Sequence, residues 1–248
     1  MKAPTGQARL ALAALAACLT LVAIPATTAS SPSAGADGWT QVNNNSHPTR
    51  WAYVLRRVTA LRRPSVRAPA VGVIRAVTPE GQTNLVLAYA TRRDTTQRLW
   101  VRVPLSALPN GLTGWVPRNA LGDFHIVRTH LVIDRARLTA VLLHDGRVVF
   151  RTAVGLGEPR WPTPRGEFYV RVRLTHFLDP MYGPVAFGTN ARQPWLTDWP
   201  NGGVVGIHGT DAPQLLPGRV SHGCIRLRND AILRLARLMP LGTPVSIR

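Results

Sequence analysis

Two short stretches, Ile207-His208-Gly209-Thr210 and Ser221-His222-Gly223-Cys224-Ile225-Arg226-Leu227, decide how the second half of this chain folds. They bring two histidines and a cysteine close together in sequence. A cysteine is a nucleophile only as the thiolate, and imidazole is the side chain best suited to take its proton near neutral pH. The pattern therefore predicts that Cys224 is a nucleophile activated by a histidine.

The residues beside Cys224 fit this prediction. Gly223 lets the backbone turn tightly and lets a substrate approach closely. The hydroxyl groups of Ser221 and Thr210 are expected to orient an imidazole. His208 and His222 are both candidates for the base, and geometry must decide between them.

Other roles for Cys224 stay open at this point. A lone cysteine is more often a small buried hydrophobic side chain than a nucleophile. A structural zinc site takes four ligands in short paired spacings, and here only His222 and Cys224 are paired. A redox role needs a second thiol, and the other cysteine of the chain is Cys18 in the N-terminal segment.

The segments next to the motif indicate which elements hold it. Residues 204–207 are apolar and predict a strand that ends at His208. Asn229 is expected to cap a helix with Asp230 in its first turn. The apolar stripe of that helix comprises Ile232, Leu235, Ala236 and Met239.

The order His-Gly-Thr, then Ser-His-Gly-Cys, then Ile-Arg resembles the signature of the L,D-transpeptidase catalytic-domain (YkuD) family of bacterial cell-wall enzymes. Arg226 stands at the last position of that signature, where arginine is one of the accepted variants. The resemblance extends from about residue 131 to residue 248. It implies a β-sandwich-type catalytic domain with one or two helices, so the expected fold class is mainly β.

The resemblance also implies a role for each residue of the motif. Cys224 would be the nucleophile, His208 the general base, and His222 a residue that shapes the site. Backbone amides near Gly223 and Cys224 would hold the oxyanion. The residues expected on the substrate side are Gly209, Thr210, Ser221, Gly223 and Arg226.

Arg226 has two readings, because its guanidinium group can bind a stem carboxylate or can be a surface charge beside the site. The resemblance implies no metal and no cofactor. It also implies a loop over residues 182–190 beside the cleft. Trp195 and Trp199 are expected to be buried by packing, with the groove wall as the alternative.

The reaction that the family implies starts from a peptidoglycan tetrapeptide stem. Cys224 attacks the carbonyl group of the third residue and expels the terminal D-alanine. A side-chain amine of a neighbouring stem then resolves the thioester, so that two third residues are cross-linked. Carbapenems are expected to acylate the same thiol.

Two functions of other classes remain open. A cysteine hydrolase would use the same Cys/His pair with water as the acceptor and would trim stem peptides. A non-catalytic wall-binding protein would rely on the N-terminal part of the chain, but it would have no need of a thiol in this motif.

The N-terminal region has the order of a secretory signal peptide over residues 1–29, with basic residues, then an apolar run, then small residues. The protein is therefore expected to be exported and associated with the cell wall. In the alternative, Cys18 lies in a lipoprotein box and is lipidated, which would bind the protein to the membrane. Residues 30–48 are rich in Ser, Gly, Asn and Ala and predict a flexible linker.

Residues 49–121 predict a separate small β domain, because turn residues divide them into short β-type runs. Residues 100–104 and 114–117 resemble the end of a bacterial SH3-like domain, so a small SH3-like barrel is expected. The catalytic domain would follow over residues 122–248. In that domain, residues 167–174 alternate and predict a half-buried strand with a basic outer face.

The net charge of +18 comes from 30 Lys and Arg residues against 12 Asp and Glu residues, and it favours polyanionic partners. The sequence contains no nucleic-acid-binding motif, so a nucleic-acid partner is not expected. Anionic wall polymers are the expected partners if the protein is exported.

Overall fold

The computed structural model describes residues 40–41, 48–175, 179–195 and 203–248, which belong to one compact unit. The predicted signal peptide, Cys18, His176 and Trp199 lie outside these residues. No helix in the described ranges is long and apolar enough to cross a membrane.

The N-terminal part is built from short antiparallel strands. Six of its strands form a sheet in the order β1-β6-β7-β8-β3-β4. Its buried side chains are mostly Val, Ala and Leu, which suit a small pleated core. The strands are β1 (Thr40–Gln41), β2 (Thr49–Tyr53), β3 (Val58–Leu61), β4 (Ala70–Ile74), β5 (Leu85–Leu87), β6 (Ala90–Arg93), β7 (Leu99–Pro104) and β8 (Thr113–Pro117).

The C-terminal part is organised around one large mixed sheet. Its strand order is β12-β11-β10-β19-β14-β15-β16-β18-β13-β17. The elements that follow β8 are β9 (His125–Val127), β10 (Thr129–Asp134), β11 (Thr139–His144), β12 (Arg147–Ala153), β13 (Gly155–Gly157), β14 (Gly166–Leu174), β15 (Ala186–Arg192), β16 (Val204–His208), β17 (Gly218–Ser221), β18 (Ile225–Arg226), α1 (Asn229–Leu238) and β19 (Pro244–Ile247). The expected mainly β fold class is confirmed.

The predicted domain boundary at residues 121–122 and the SH3-like assignment stay predictions. Strand β9, which follows that boundary, pairs with β2 of the N-terminal part, and β5 completes this three-stranded sheet. Strand pairing therefore continues across the predicted boundary.

The main core lies behind the catalytic motif. Ile207 of β16 and Ile225 of β18 are fully buried, and Ile232 and Leu235 of α1 lie in the same cluster. The apolar stripe predicted for the helix is confirmed. Burial of each such side chain stabilises the fold by roughly 1.5–3 kcal/mol, so the core holds the two strands of the motif firmly together.

Three expectations about local structure are wrong. Tyr169 and Arg171 are buried, so the middle of β14 lies between two packed faces, and of the expected outer face only Glu167 and Arg173 at its ends are exposed. The segment expected to be a loop over residues 182–190 largely forms strand β15. Trp195 is 64% exposed, so the expected packing does not bury it.

Polar side chains bind backbone groups across the junction between the N-terminal part and the large sheet. The Asn110 side chain accepts from Arg192 N and donates to Arg192 O, both at 2.8 Å. Gln82 Nε2 donates to Arg173 O at 2.7 Å, and the Tyr169 hydroxyl donates to Leu85 O at 3.2 Å. Because burial raises the pKa of Tyr169, its hydroxyl stays a donor.

An aromatic side chain completes this junction. Trp51 packs over Gly242, whose φ is 79°. A Cβ atom at this glycine would lie 2.7 Å from Trp51 Cγ. The contact therefore requires both the positive φ and the missing side chain of Gly242.

Candidate active site

The register of two parallel strands brings the segments that carry His208 and Cys224 side by side. Ile207 lies opposite Ile225 and His208 lies opposite Arg226, and Cys224 directly precedes β18. Cys224 belongs to the same core cluster as Ile207 and Ile225. Cys224 lies beside Gly206, two residues before His208, which is roughly 7 Å along a strand.

Cys224 is 7% exposed, and it is the free cysteine in the described part of the chain. The backbone N–H of Gly206 donates to its Sγ at 3.4 Å. A donor aimed at sulfur favours the negative thiolate over the neutral thiol. The strand that carries His208 therefore also supplies a donor to the sulfur of Cys224.

His208 is 2% exposed, and one of its ring nitrogens binds the backbone. Nδ1 lies 2.7 Å from the carbonyl oxygen of Gly209. A carbonyl oxygen only accepts, so in the neutral ring Nδ1 carries the proton and Nε2 does not. The Tyr182 ring lies edge-on to His208, with 5.0 Å between centroids. His208 is thus held in the tautomer that a general base needs.

The hydroxyl of Ser221 organises the backbone around the nucleophile. It donates to Cys224 O at 2.6 Å and accepts from Gly223 N at 3.1 Å. Gly223 has a φ of 126°, so the turn before Cys224 requires glycine. Thr210 Oγ1 likewise accepts from Ala212 N at 3.1 Å. Both hydroxyls are thus bound to backbone groups, and their orientation of an imidazole stays a prediction.

His222 is half-buried and packs against an aromatic side chain that the sequence reasoning missed. The rings of Trp161 and His222 meet edge to face, with 4.2 Å between centroids. The Arg160 guanidinium lies 3.6 Å from the centroid of the Trp161 ring, and it binds Glu158 at 3.3 Å. His222 is therefore held by the loop after β13.

Arg226 of β18 lies opposite His208 of the parallel strand β16 and opposite Gly155 of the antiparallel strand β13. Its side chain is half-buried. Its Nε atom is buried and has no hydrogen-bond partner among the described residues. This donor beside the catalytic motif fits the reading of Arg226 as a binding residue better than the reading as a solvated charge.

Asn229 contacts the motif, although the sequence reasoning treated it only as a helix cap. Asn229 is the first residue of α1, and Arg228 occupies the cap position without a side-chain cap bond, so the expected cap is wrong. Asn229 Oδ1 instead accepts from Thr210 N at 2.9 Å. A Cβ atom at Gly209 or at Gly183 would overlap this oxygen. Asn229 therefore packs directly against the loop that follows His208.

Comparison with known proteins assigns this arrangement of residues to a family. The model of the L,D-transpeptidase catalytic domain (YkuD) matches residues 128–247. The L,D-transpeptidase YkuD of Bacillus subtilis is 32% identical over 169 residues, which are 68% of this chain and 94% of that protein. The chain belongs to the L,D-transpeptidase family. It is an enzyme of this class, and the class modifies peptidoglycan.

The chain is also similar to other L,D-transpeptidases. The L,D-transpeptidase YqjB of Bacillus subtilis is 33% identical over 134 residues, covering 51% of this chain and 72% of that protein. An L,D-transpeptidase structure from Mycobacterium smegmatis aligns with a TM-score of 0.42 and 17% identity over 66% of this chain and 90% of that chain. The catalytic domain of the Enterococcus faecium enzyme aligns with a TM-score of 0.37 and 25% identity over 50% of this chain and 99% of that chain.

Proposed function

We propose that this transpeptidase is exported and joins the third residues of two peptidoglycan stem peptides through a thioester on Cys224. One observation carries the proposal. The sulfur of Cys224 accepts from Gly206 N of the strand that carries His208, and Nδ1 of His208 is committed to Gly209 O. A thiol beside an oriented base is what acyl transfer requires.

In the first half-reaction, His208 Nε2 takes the proton of Cys224, and the sulfur attacks the carbonyl carbon of the third stem residue. The C–S bond forms and the carbonyl oxygen becomes an oxyanion, which backbone amides near Gly223 and Cys224 would hold. The tetrahedral intermediate collapses with cleavage of the C–N bond, and His208 returns its proton to the departing D-alanine amine.

In the second half-reaction, the amine of a neighbouring stem attacks the thioester. His208 accepts a proton from this amine, the C–N bond forms, and the thiol of Cys224 is regenerated as the C–S bond breaks. One peptide bond replaces another of similar energy, so the reaction needs no nucleotide. A reaction that needs no nucleotide suits an enzyme that works outside the cytoplasm.

Export and the remaining partners belong to the same proposal. They rest on the order of basic, apolar and small residues over residues 1–29. With the signal peptide removed, Cys224 would be the one cysteine of the protein, so no internal disulfide would compete for it. Carbapenems would acylate the same thiol.

Mass spectrometry of the products tests the proposal. The purified enzyme is incubated with tetrapeptide muropeptides, and Cys224→Ser serves as the matched control. We expect dimers joined through third residues, with release of D-alanine, and neither product from the variant. Tripeptide monomers alone would identify the hydrolase instead, and dimers formed by Cys224→Ser would exclude the thioester.

A further inference from the structure

A basic groove lies on the N-terminal part, on elements that carry none of the catalytic motif. Its volume is about 840 Å³, which is within the usual range for ligand sites. Two segments line it, the connection from β3 to β4 and the hairpin of β6 and β7. Its arginines are Arg63, Arg67, Arg92, Arg93 and Arg98.

The charges of these arginines are not neutralised within the described part of the chain. None of the five forms an ion pair there. Arg93 donates to Gln97 O at 2.8 Å, whereas the other four guanidinium groups have no hydrogen-bond partner among the described residues. Like charges gathered around a concave surface focus the field and attract anions.

The one acidic residue of the groove is engaged in folding the hairpin. Asp94 accepts from the Trp100 indole N–H at 2.9 Å and from the Thr96 hydroxyl at 2.7 Å. These bonds, with further ones from the Thr96 and Arg98 backbone, lower the pKa of Asp94 to about 2. The carboxylate is directed to these donors and leaves the arginines available.

We propose that this groove binds a linear phosphodiester polymer and holds the enzyme on it. A phosphodiester carries two non-bridging oxygens, so one group can accept from a guanidinium of each lining segment. A carboxylate presents both oxygens on one edge and suits a single arginine. Several such contacts along one chain give affinity without recognition of individual units.

The residues that line the groove disfavour a single-stranded nucleic acid. Proteins that bind single strands stack the bases on aromatic side chains. No aromatic side chain lines this groove, whose remaining residues are Pro64, Ser65, Val66, Ala68, Thr95 and Thr96 beside Asp94. The groove therefore offers positive charge to a phosphate backbone but no aromatic side chain on which a base could stack.

Binding of labelled poly(glycerol phosphate) to the full chain at several salt concentrations tests this proposal. The test variant replaces Arg63, Arg67 and Arg98 with Gln, because these three are exposed and their side chains bind nothing in the fold. The control variant replaces Arg147, Arg151 and Arg237, which are also exposed and lie outside the groove. Both variants lose the same net charge.

We expect the groove variant to lose about tenfold or more in affinity, and its log–log salt dependence to flatten by about one per lost contact. The control variant should change far less. Equal losses in both variants, or no binding by the native protein, would overturn the proposal. Tighter binding of oligodeoxythymidylate would indicate a nucleic acid, and equal binding of polyglutamate would exclude selection of phosphate.

A second and independent observation concerns Asn229. The carbonyl of Gly209, which accepts from His208, and the N–H of Thr210, which donates to Asn229, belong to one peptide group. A peptide group is planar, so holding its N–H also holds its C=O. We infer that Asn229 is a positioning residue, which fixes the tautomer of His208 through this peptide. The inference rests on the proposed role of His208.

The variants Asn229→Leu and Asn229→Asp test this role, with Asp230→Leu as a control at the same end of α1. Leucine removes the acceptor and should lower kcat by up to about 100-fold with little change in KM. Aspartate keeps an acceptor and should retain more activity. In nitrogen NMR spectra, Asn229→Leu should show less of the His208 ring protonated at Nδ1.

Thermal unfolding of each variant separates positioning from stability. A loss of kcat in Asn229→Leu that equals the loss in Asp230→Leu, or an unchanged tautomer signal, would overturn the inference. If variants that lack Cys224 or His208 remain active, the proposed function fails. The tautomer signal would still report whether Asn229 holds the ring.

Discussion

The catalytic motif and the arginine groove use their polar side chains in opposite ways. In the motif, Cys224 and His208 are 7% and 2% exposed, and Cys224 Sγ, His208 Nδ1 and Ser221 Oγ are bound to backbone groups. In the groove, four of the five guanidinium groups have no partner in the described structure. A reaction needs atoms held in place, whereas attraction of a polyanion needs exposed charges that stay available.

The junction between the N-terminal part and the large sheet is held by contacts that neither catalysis nor binding in the groove requires. Asn110, Gln82 and Tyr169 bind backbone groups across it, and Trp51 packs on Gly242. The comparison therefore predicts three kinds of variant. Changes at the motif affect turnover, changes at the junction affect stability, and changes in the groove affect binding alone.

The largest effect is expected from the two histidines. His208→Ala removes the base and should lower turnover by about 10²–10⁴-fold. Alkylation of Cys224 by iodoacetamide near neutral pH should slow and should recover as the pH rises, because the thiol then ionises without the help of a base. His222→Ala should lose transpeptidation but alkylate more nearly at the native rate. The reverse pattern would make His222 the base.

At the junction, Gly242→Ala should lower the free energy of unfolding by about 2–5 kcal/mol. A positive φ costs an alanine about 1–2 kcal/mol, and overlap with Trp51 adds about 1–3 kcal/mol. Denaturant unfolding measures the loss, and Gly146→Ala is the control because its φ of 77° has the same sign and no atom lies near its Cβ position. Equal losses in both variants would show that the Trp51 contact contributes nothing.

Trp161→Leu should have a smaller effect on turnover. The edge-to-face contact with His222 is worth about 0.5–1.5 kcal/mol, so kcat/KM should fall by about 2–12-fold while the unfolding curve stays close to native. Arg160→Gln serves as the control for the cation that lies over Trp161. A change in the unfolding curve without a change in kcat/KM would show that the contact between Trp161 and His222 serves stability alone.

The smallest effect concerns Asp94 and acid. Its pKa is lowered from 3.8 to about 2, so the carboxylate contributes stability above about pH 4, and this contribution is lost as the pH falls toward 2. Asp94→Asn should flatten the fall in unfolding free energy over that interval. Unfolding measured at several acidic pH values tests this, and an identical slope in both proteins would assign the acid sensitivity elsewhere.

The prediction from sequence succeeded where a local pattern carries the information. The order of His208, His222 and Cys224 identified the family, and the spacing of Ile232, Leu235 and Ala236 identified the buried face of α1. It failed for β14, because alternation cannot show that the N-terminal part covers the outer face and buries Tyr169 and Arg171. It also missed Trp161, which lies far from His222 in sequence.

The sequence by itself determined the family, the mainly β class and the thiol with its candidate bases, because these depend on residue types at short spacings. Only the tertiary structure decided which nitrogen of His208 carries the proton, and that Asn229 binds the loop after it. It also decided that arginines from two separate segments share one groove. The physical reason is that hydrogen bonds and electrostatic fields depend on distances in space, and strand pairing sets those distances between residues far apart in the chain.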